Sequence, residues 1–267
     1  MSTVWMNQLS WMDYEARLKR DQPPIFLPVG ALEQHGPHLP LGTDGLLSAA
    51  VAAATAALLV IDMQRDFLDP QGYAAQAGVD VSRLRATIAP VQALLAMARS
   101  AGMPVIFTRE GHRPDLSDCP PAKLLRSRAV GAEIGTQGPM GRLLVRGEYG
   151  HDMVDEMQVR PTEPVVDKPG YSAFHQTDLD QILRSRQIAI LLICGVTTEV
   201  CVHSTVRAAT DHGYHCITVG DACASSEPQG QLPALRMISV EGGIFGEVTD
   251  SATLLARMTN VSQKETP

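Results

Sequence analysis

Three residues with complementary chemistry each stand close behind an apolar run of the chain. Asp62 and Lys168 follow short runs, and Cys201 follows the longer run Ile188–Ile193. Such runs predict buried strands of a parallel α/β sheet, whose carboxyl ends lie on one side, where ligands bind. We therefore expect a carboxylate, an amine and a thiol to meet there, although they are far apart in sequence.

Cys201 is predicted to lie where a strand ends and the helix 200–209 begins. Unpaired backbone N–H groups at a helix start stabilise a thiolate and can also hold the oxyanion that forms when sulfur attacks a carbonyl. Asp62 can take the thiol proton and later deliver it to a leaving amine. Lys168 favours the ionised forms of both neighbours.

The segments that carry these residues resemble the three blocks of the isochorismatase-like cysteine hydrolases. The segments are LLVIDMQRDF, VVDKPGYSAF and GVTTEVCVHSTVRAA. The resemblance implies a catalytic triad of Asp62, Lys168 and Cys201. It also implies a cis peptide at Val196–Thr197, an oxyanion hole made by the N–H groups of Thr197 and Cys201, and no cofactor. Phe67, five residues after Asp62, is expected to wall the pocket.

The predicted fold class is α/β, a doubly wound and mainly parallel sheet with helices on both faces and a short N-terminal appendage. Strands alternate with helices along the chain, including a helix over 81–101. The insertion 109–150 is rich in Gly, Pro and charged residues, and a loop of this length is usually functional. We assign residues 1–53 to the appendage and 54–260 to the hydrolase domain.

Composition excludes several other functions. A net charge of −7 argues against nucleic-acid and anionic-membrane partners. Five cysteines without paired spacing do not suggest a disulfide framework, and they fit a reduced, cytoplasmic setting with a working thiolate. No signal peptide is evident. We expect a small-molecule substrate and a homo-oligomer, either a dimer or a tetramer.

The N-terminal segment 23–53 carries a second pattern, which resembles the start of the creatininase family of metal-dependent amidohydrolases. The resemblance makes Glu33, His35 and Asp44 candidate metal ligands, a donor set that suits zinc or manganese. About 50 residues cannot rebuild that family's core. We therefore interpret 1–53 as a truncated, non-catalytic segment, with a metal-dependent amidohydrolase kept as the alternative.

The substrate is expected to be a small linear amide or urea. The stretch 108–116 and the segment GGIFG resemble biuret hydrolases, which place a glutamine just before that Gly-Gly pair; here the residue is Glu241. An ionised glutamate offers only acceptors and would favour a cationic amidine such as guanylurea. Alternatively, Glu241 turns to solvent or to Arg236. The substrate is then an ordinary ureide such as biuret, ureidoacrylate or an N-carbamoyl amino acid.

Overall fold

The computed structural model of the protein describes residues 55–262, with side chains as far as residue 258. Its centre is a six-stranded sheet in the order β5-β2-β1-β6-β7-β8, in which every neighbouring pair is parallel. The strands are β1 Ala56–Ile61, β2 Val105–Glu110, β5 Val165–Lys168, β6 Ile190–Val196, β7 His215–Ala224 and β8 Glu247–Thr249. Helices flank the sheet, which confirms the expected α/β class.

The helices connect the strands in the order expected for parallel crossovers. They are α1 Arg65–Leu68, α2 Tyr73–Gln76, α3 Val81–Arg85, α4 Ile88–Ser100, α5 Pro121–Ala129, α6 Leu179–Ser185, α7 His203–Asp211, α8 Pro228–Ile238, α9 Val240–Gly243 and α10 Ser251–Ser262. A 3₁₀ turn covers Asp155–Met157, a π-helical turn covers Thr198–Val202, and the pair β3 Gln137–Gly138 and β4 Gly141–Arg142 forms a small hairpin.

The prediction of one continuous helix over 81–101 is wrong in one respect, because the structure has two helices there, α3 and α4. Pro90 lies in the first turn of α4 and has no N–H to donate to the carbonyl of Ala86, and its ring would crowd that carbonyl. Thr87 supports the break, since its hydroxyl donates to the carbonyl of Leu84 at 2.7 Å. Both helices bury apolar side chains, Val81 and Leu84 in α3 and Val91, Leu94 and Leu95 in α4.

Strand β1 is buried along its whole length, between β2 and β6. Its side chains are continuously apolar because helices cover both faces of a parallel sheet. Its last residue, Ile61, pairs with Thr108 of β2 and with Gly195 of β6. This register brings the end of β1 level with the ends of its two neighbours.

The long insertion after β2 is anchored by two buried polar side chains that follow β1. Gln64 donates to the carbonyls of Glu110 and His151 at 3.0 and 2.8 Å and accepts from the N–H of Glu110 at 2.7 Å. Asp66 accepts from the N–H of Leu144 at 2.9 Å. The insertion is therefore an ordered part of the domain that fixes the end of β2.

The appendage 1–53 and its candidate ligands Glu33, His35 and Asp44 lie outside the described residues, so their predictions stay predictions. In residues 55–262, no helix combines the length and apolar character that crossing a membrane requires. All five cysteines lie in the described range, and each is a free thiol.

Candidate active site

Four neighbouring strands of the sheet end around one buried group of side chains. Lys168 is the last residue of β5, Glu110 is the last residue of β2, Asp62 follows β1, and Cys201 lies in the π-helical turn after β6. Glu110 and Lys168 are partners in the ladder between β2 and β5. The carboxyl ends of the strands thus bring the three predicted catalytic residues together, and they add Glu110.

The ends of β1 and β6 approach each other closely because Gly195 has no side chain. A Cβ atom at Gly195 would lie 2.0 Å from the carbonyl oxygen of Ile61, and its φ of 116° favours glycine. Asp62 itself has a φ of 52°, an uncommon conformation for a non-glycine residue. Its backbone is held by a hydrogen bond from its N–H to the carbonyl of Thr108 at 3.1 Å.

Lys168 lies at the centre of the group and is fully buried. Its Nζ lies 2.8 Å from Oδ2 of Asp62 and 3.4 Å from Oε2 of Glu110, and it donates to the carbonyl of Gly170 at 3.0 Å. The hydroxyl of Thr108 donates to Oδ1 of Asp62 at 2.7 Å. A buried ammonium with three oxygen acceptors is fully paired, which is the condition for a charge to persist in the interior.

The thiol of Cys201 donates its hydrogen bond to Glu110, with 3.1 Å between Sγ and Oε2. Only 4% of the Cys201 surface is exposed. One carboxylate oxygen of Asp62, one of Glu110 and the sulfur all lie within 4.8 Å of one another. The nucleophile therefore has two carboxylates beside it, where the sequence interpretation gave it only Asp62.

A second lysine completes the group. Nζ of Lys123, on α5, lies 2.6 Å from Oε1 of Glu110 and donates to the carbonyl of Pro169 at 2.8 Å. It also lies 4.9 Å from the centre of the Tyr171 ring. We call Asp62, Glu110, Lys123, Lys168 and Cys201 the strand-end cluster. With two ammonium groups, two carboxylates and a neutral thiol, the cluster has no net charge.

The two carboxylates differ in their affinity for a proton. Burial raises the pKa of Asp62 above its ordinary value, although the Lys168 ammonium opposes this effect. Burial alone would also raise the pKa of Glu110, but the ammonium groups of Lys168 and Lys123 lower it to about 2. Asp62 is therefore the better proton acceptor, and Glu110 remains a carboxylate.

Burial also affects the pKa values of the Cys201 thiol and the Lys168 amine. It raises the pKa of the Cys201 thiol well above the ordinary value, while Lys168 acts in the opposite direction. Burial would lower the pKa of Lys168, but the charges of Asp62, Cys201 and Glu110 raise it instead. In the free protein the cysteine is thus held as a thiol beside an ammonium.

Side chains outside the cluster fix the turn that carries Cys201. The hydroxyl of Thr198 donates to Oε1 of Gln231 on α8 at 2.8 Å, and Glu199 accepts from the N–H of Ser226 at 2.8 Å. The Val196–Thr197 peptide is cis, as the family resemblance implied. No contact in the described residues tests the oxyanion role of the Thr197 and Cys201 N–H groups, which stays a prediction.

The two residues predicted to bind substrate lie in different surroundings. Phe67 is buried on α1, and its ring packs edge-on against Tyr73 at 6.1 Å between centroids. Glu241 is exposed on α9 with a φ of 52°, and its carboxylate has no hydrogen bond or ion pair among the described side chains. It does not pair with Arg236. The described contacts do not connect Glu241 with the cluster.

Asp62, Glu110 and Cys201 also form a set of donor atoms close enough to share a metal ion. Lys168 already supplies the positive charge that both carboxylates require. A cation would have to displace that ammonium, so the arrangement suits a thiol nucleophile better than a metal.

The remaining cysteines, Cys119, Cys194, Cys216 and Cys223, are buried, and burial raises the pKa of each.

A surface cavity of about 460 Å³ lies between α4 and the segment 156–160. None of the residues that line it belongs to the strand-end cluster. The cavity therefore contains no titratable group of the strand-end cluster and is not the site of the proposed chemistry.

Glu110 and Lys123 were missed by the sequence analysis. A signal for Glu110 was present, because the run 103–107 is apolar and the strand that contains most of it ends shortly afterwards, at Glu110. Lys123 gave no comparable signal, since a lysine in a charged insertion is normally solvated. Its burial depends on its contacts with Glu110 and with the carbonyl of Pro169.

Comparison with known proteins supports this description. The family model described as Isochorismatase domain matches residues 56–253. A cysteine hydrolase from Pseudomonas syringae pv. phaseolicola 1448A is 29% identical, with 78% of this chain and 94% of that chain covered and a TM-score of 0.66. An isochorismatase family protein from Desulfovibrio vulgaris subsp. vulgaris str. Hildenborough is 27% identical, with 77% and 98% covered and a TM-score of 0.63.

Two further matches concern the fold and the N-terminal segment. N-carbamoylsarcosine amidase from Thermoplasma acidophilum is 24% identical, with 74% of this chain and 96% of that chain covered and a TM-score of 0.57, a level that shows a shared fold. The family model described as Creatinine amidohydrolase matches residues 7–91. That match runs past Ala53 into α4, where the described chain already forms part of the hydrolase domain.

Proposed function

The chain belongs to the isochorismatase domain family, and from that premise we propose that it is a cysteine hydrolase that cleaves a C–N bond of a small linear urea or amide and releases ammonia. The observation that carries the proposal is the buried contact of the Cys201 thiol with two carboxylates and a fully paired Lys168. This is the arrangement of an activated nucleophile with a base in reach.

In the proposed reaction, Asp62 takes the proton of Cys201 and the sulfur attacks the carbonyl carbon. The N–H groups of Thr197 and Cys201 hold the oxyanion. The intermediate collapses as Asp62 returns the proton to the leaving nitrogen, which departs as ammonia and leaves a thioester on Cys201. Water, deprotonated by Asp62, then hydrolyses the thioester and restores the thiol.

The substrate we propose is biuret-like or guanylurea-like. The resemblance of the segments around 108–116 and 242–246 to biuret hydrolases supports it. Ureidoacrylate and N-carbamoyl amino acids are the named alternatives, and the shared fold with an N-carbamoylsarcosine amidase keeps them in view.

The test is a screen for ammonia release from biuret, triuret, guanylurea, ureidoacrylate and N-carbamoyl amino acids. Mass spectrometry of the quenched enzyme should find the acyl group on Cys201. Turnover with no adduct on any cysteine, together with unchanged activity in Cys201→Ser, would contradict the proposal.

The match of residues 7–91 to the creatininase family favours one alternative of another class, a metal-dependent amidohydrolase that uses Glu33, His35 and Asp44. Chelators and the Cys201→Ser variant separate the two. Activity that is lost with a chelator but survives Cys201→Ser selects the metal enzyme. The reverse pattern selects the cysteine hydrolase.

We also propose that the protein forms a homo-oligomer. Five exposed apolar side chains lie in the segment 232–248, which runs from α8 to β8, and a second copy of the chain would cover them. They are Leu232, Met237, Val240, Ile244 and Val248. Analytical ultracentrifugation of the full-length protein tests this, and a monomer at micromolar concentration would contradict it.

A further inference from the structure

We propose that Glu110 accepts a hydrogen bond from the second nitrogen of a urea bound at Cys201, so that the site selects ureas over simple carboxamides. This inference rests on the proposed function, because it names the substrate class that the same nucleophile attacks. It assigns a role in substrate recognition to Glu110, a residue that the sequence analysis did not single out.

The position of Glu110 relative to the sulfur is the first argument. Its Oε2 atom lies 3.1 Å from Sγ of Cys201. A carbonyl carbon poised for attack lies about 3–3.5 Å from the sulfur. A nitrogen bonded to that carbon can therefore come within hydrogen-bond reach of Oε2 when the substrate approaches from the side of Glu110.

The hydrogen bonds of the carboxylate before and after the proton transfer are the second argument. Oε1 of Glu110 is paired with Lys123, while Oε2 accepts from the thiol and lies 3.4 Å from Lys168. When Cys201 loses its proton, Oε2 loses that donor and faces a thiolate. A substrate N–H that donates to Oε2 replaces the lost donor, and without it Oε2 keeps only the long hydrogen bond from Lys168.

Lys123 helps to keep the carboxylate of Glu110 ionised. Its ammonium donates to Glu110 and to the carbonyl of Pro169 and lies over the Tyr171 ring. Its positive charge lowers the pKa of Glu110. An ionised carboxylate is an acceptor only, and it therefore recognises an N–H and not a second carbonyl.

The two acids then match the two nitrogens of a urea. Asp62 protonates the nitrogen that leaves, Glu110 accepts from the nitrogen that stays, and the N–H groups of Thr197 and Cys201 bind the oxygen. A carboxamide has carbon in place of the second nitrogen. It would leave Oε2 with only the 3.4 Å hydrogen bond from Lys168, and a site built to bind an N–H rejects such a mismatch.

Biuret and malonamide provide the matched test, because they differ only in an NH or a CH₂ between two carbamoyl groups. The specificity constant for ammonia release is measured for both compounds with the parent, with Glu110→Gln and with the double variant Glu110→Leu/Lys123→Met. The double variant replaces a buried ion pair by apolar side chains, so that no unpaired charge is left in the core. Glu133→Gln, which alters an exposed ion pair with Arg128 in the same insertion, is the control.

We expect the preference for biuret over malonamide to fall by about tenfold to hundredfold in the double variant, the range for one hydrogen bond to a charged group. The control should keep the parent's preference. Comparing the ratio between proteins cancels the different intrinsic reactivity of the two compounds. A folded double variant whose ratio stays within threefold of the parent's overturns the proposal, even if biuret is turned over.

A second measurement separates this inference from the proposed function. Both compounds are tested as protectants of Cys201 against iodoacetamide in the parent, where no turnover is required. Protection by biuret at a concentration at least tenfold lower than malonamide supports the role of Glu110 even if neither compound is hydrolysed. Equal protection, or none by either compound, overturns it.

Discussion

Two glutamates of this chain, Glu110 and Glu241, are placed in opposite ways. Glu110 ends a central strand, is buried, and contacts two lysines and the nucleophilic thiol. Glu241 lies on α9 at an exposed position, where its carboxylate has no partner among the described residues. The backbone around it is also unusual, since Gly242 and Gly243 have φ values of 76° and 93°.

This difference in burial indicates which of the two carboxylates can discriminate between substrates when no second copy of the chain is present. A buried carboxylate in a fixed geometry makes a strong and directional hydrogen bond, and leaving it unpaired is costly. An exposed carboxylate is screened by water and salt, so its contribution is small. Glu241 would gain the first kind of environment only if a second copy or a bound substrate covered α9. The predictions below test this contrast, beginning with the nucleophile.

The largest effect is expected for Cys201. Cys201→Ser keeps the volume of the side chain, so the fold should persist while turnover falls by about 10⁴-fold or more, because a hydroxyl at this position is far less acidic than a thiol. Steady-state ammonia release and a thermal melt check the two halves of this prediction. Activity within tenfold of the parent would remove Cys201 from the mechanism, and with it the role of the whole strand-end cluster.

The next largest effect is expected for Asp62. Asp62→Asn keeps the shape and the hydrogen bond from Thr108 but removes the proton acceptor, so kcat should fall by about 10²-fold or more. Glu110 also lies beside the thiol, with 3.1 Å between Oε2 and Sγ, but its low pKa makes it a poor base. If Asp62→Asn retains most activity and Glu110→Gln loses it, the two carboxylates have exchanged roles.

A smaller effect is expected for the protonation of the nucleophile. Burial raises the pKa of Cys201, so the rate of alkylation in the parent should climb with pH above neutrality. Lys168 lowers that pKa, and Lys168→Met should therefore shift the profile to higher pH and slow alkylation at pH 7. Subtracting the rate of Cys201→Ser removes the contribution of the other four cysteines.

Lys168→Met also leaves the buried Asp62 without a counter-charge and Glu110 with Lys123 alone, which destabilises the fold. The double variant Lys168→Met/Asp62→Asn removes one of these charges and serves as the second protein. An alkylation profile at the same pH in the parent and in folded Lys168→Met would show that Lys168 does not tune the thiol.

The triad could be predicted from sequence because its surroundings follow simple rules. Asp62, Lys168 and Cys201 each follow an apolar run, and parallel strands end on one side of a sheet. The sheet itself follows from the alternation of strands and helices. Pro90 gave a local signal for the break between α3 and α4 that the helical periodicity concealed.

The other half of the cluster depends on tertiary structure. Lys123 lies in a charged insertion with no apolar pattern to fix its side chain, and its burial depends on contacts with Glu110 and the carbonyl of Pro169. The pairing of Gln64 with both backbone groups of Glu110 joins residues that are 46 positions apart. Local sequence contains neither contact, so the ionised state of Glu110 could not be inferred from it.

The smallest effect is expected for Glu241, and it bears most directly on the comparison of the two glutamates. If substrate or a second copy brings Glu241 to the site, the parent should favour cationic guanylurea over neutral biuret, and Glu241→Gln should shift the preference towards biuret by about tenfold or more. If Glu241 stays as exposed as it is in the single chain, the shift should be under about threefold, because water screens the charge. The measurement is the ratio of specificity constants for the two compounds in parent and variant, at low and at high salt. A large ratio change that survives high salt places Glu241 in a desolvated contact with substrate. An unchanged ratio leaves Glu110 as the carboxylate that distinguishes substrates, and a neutral urea then fits the uncharged cluster better than a cation, whose charge would enter the buried site without a counter-ion.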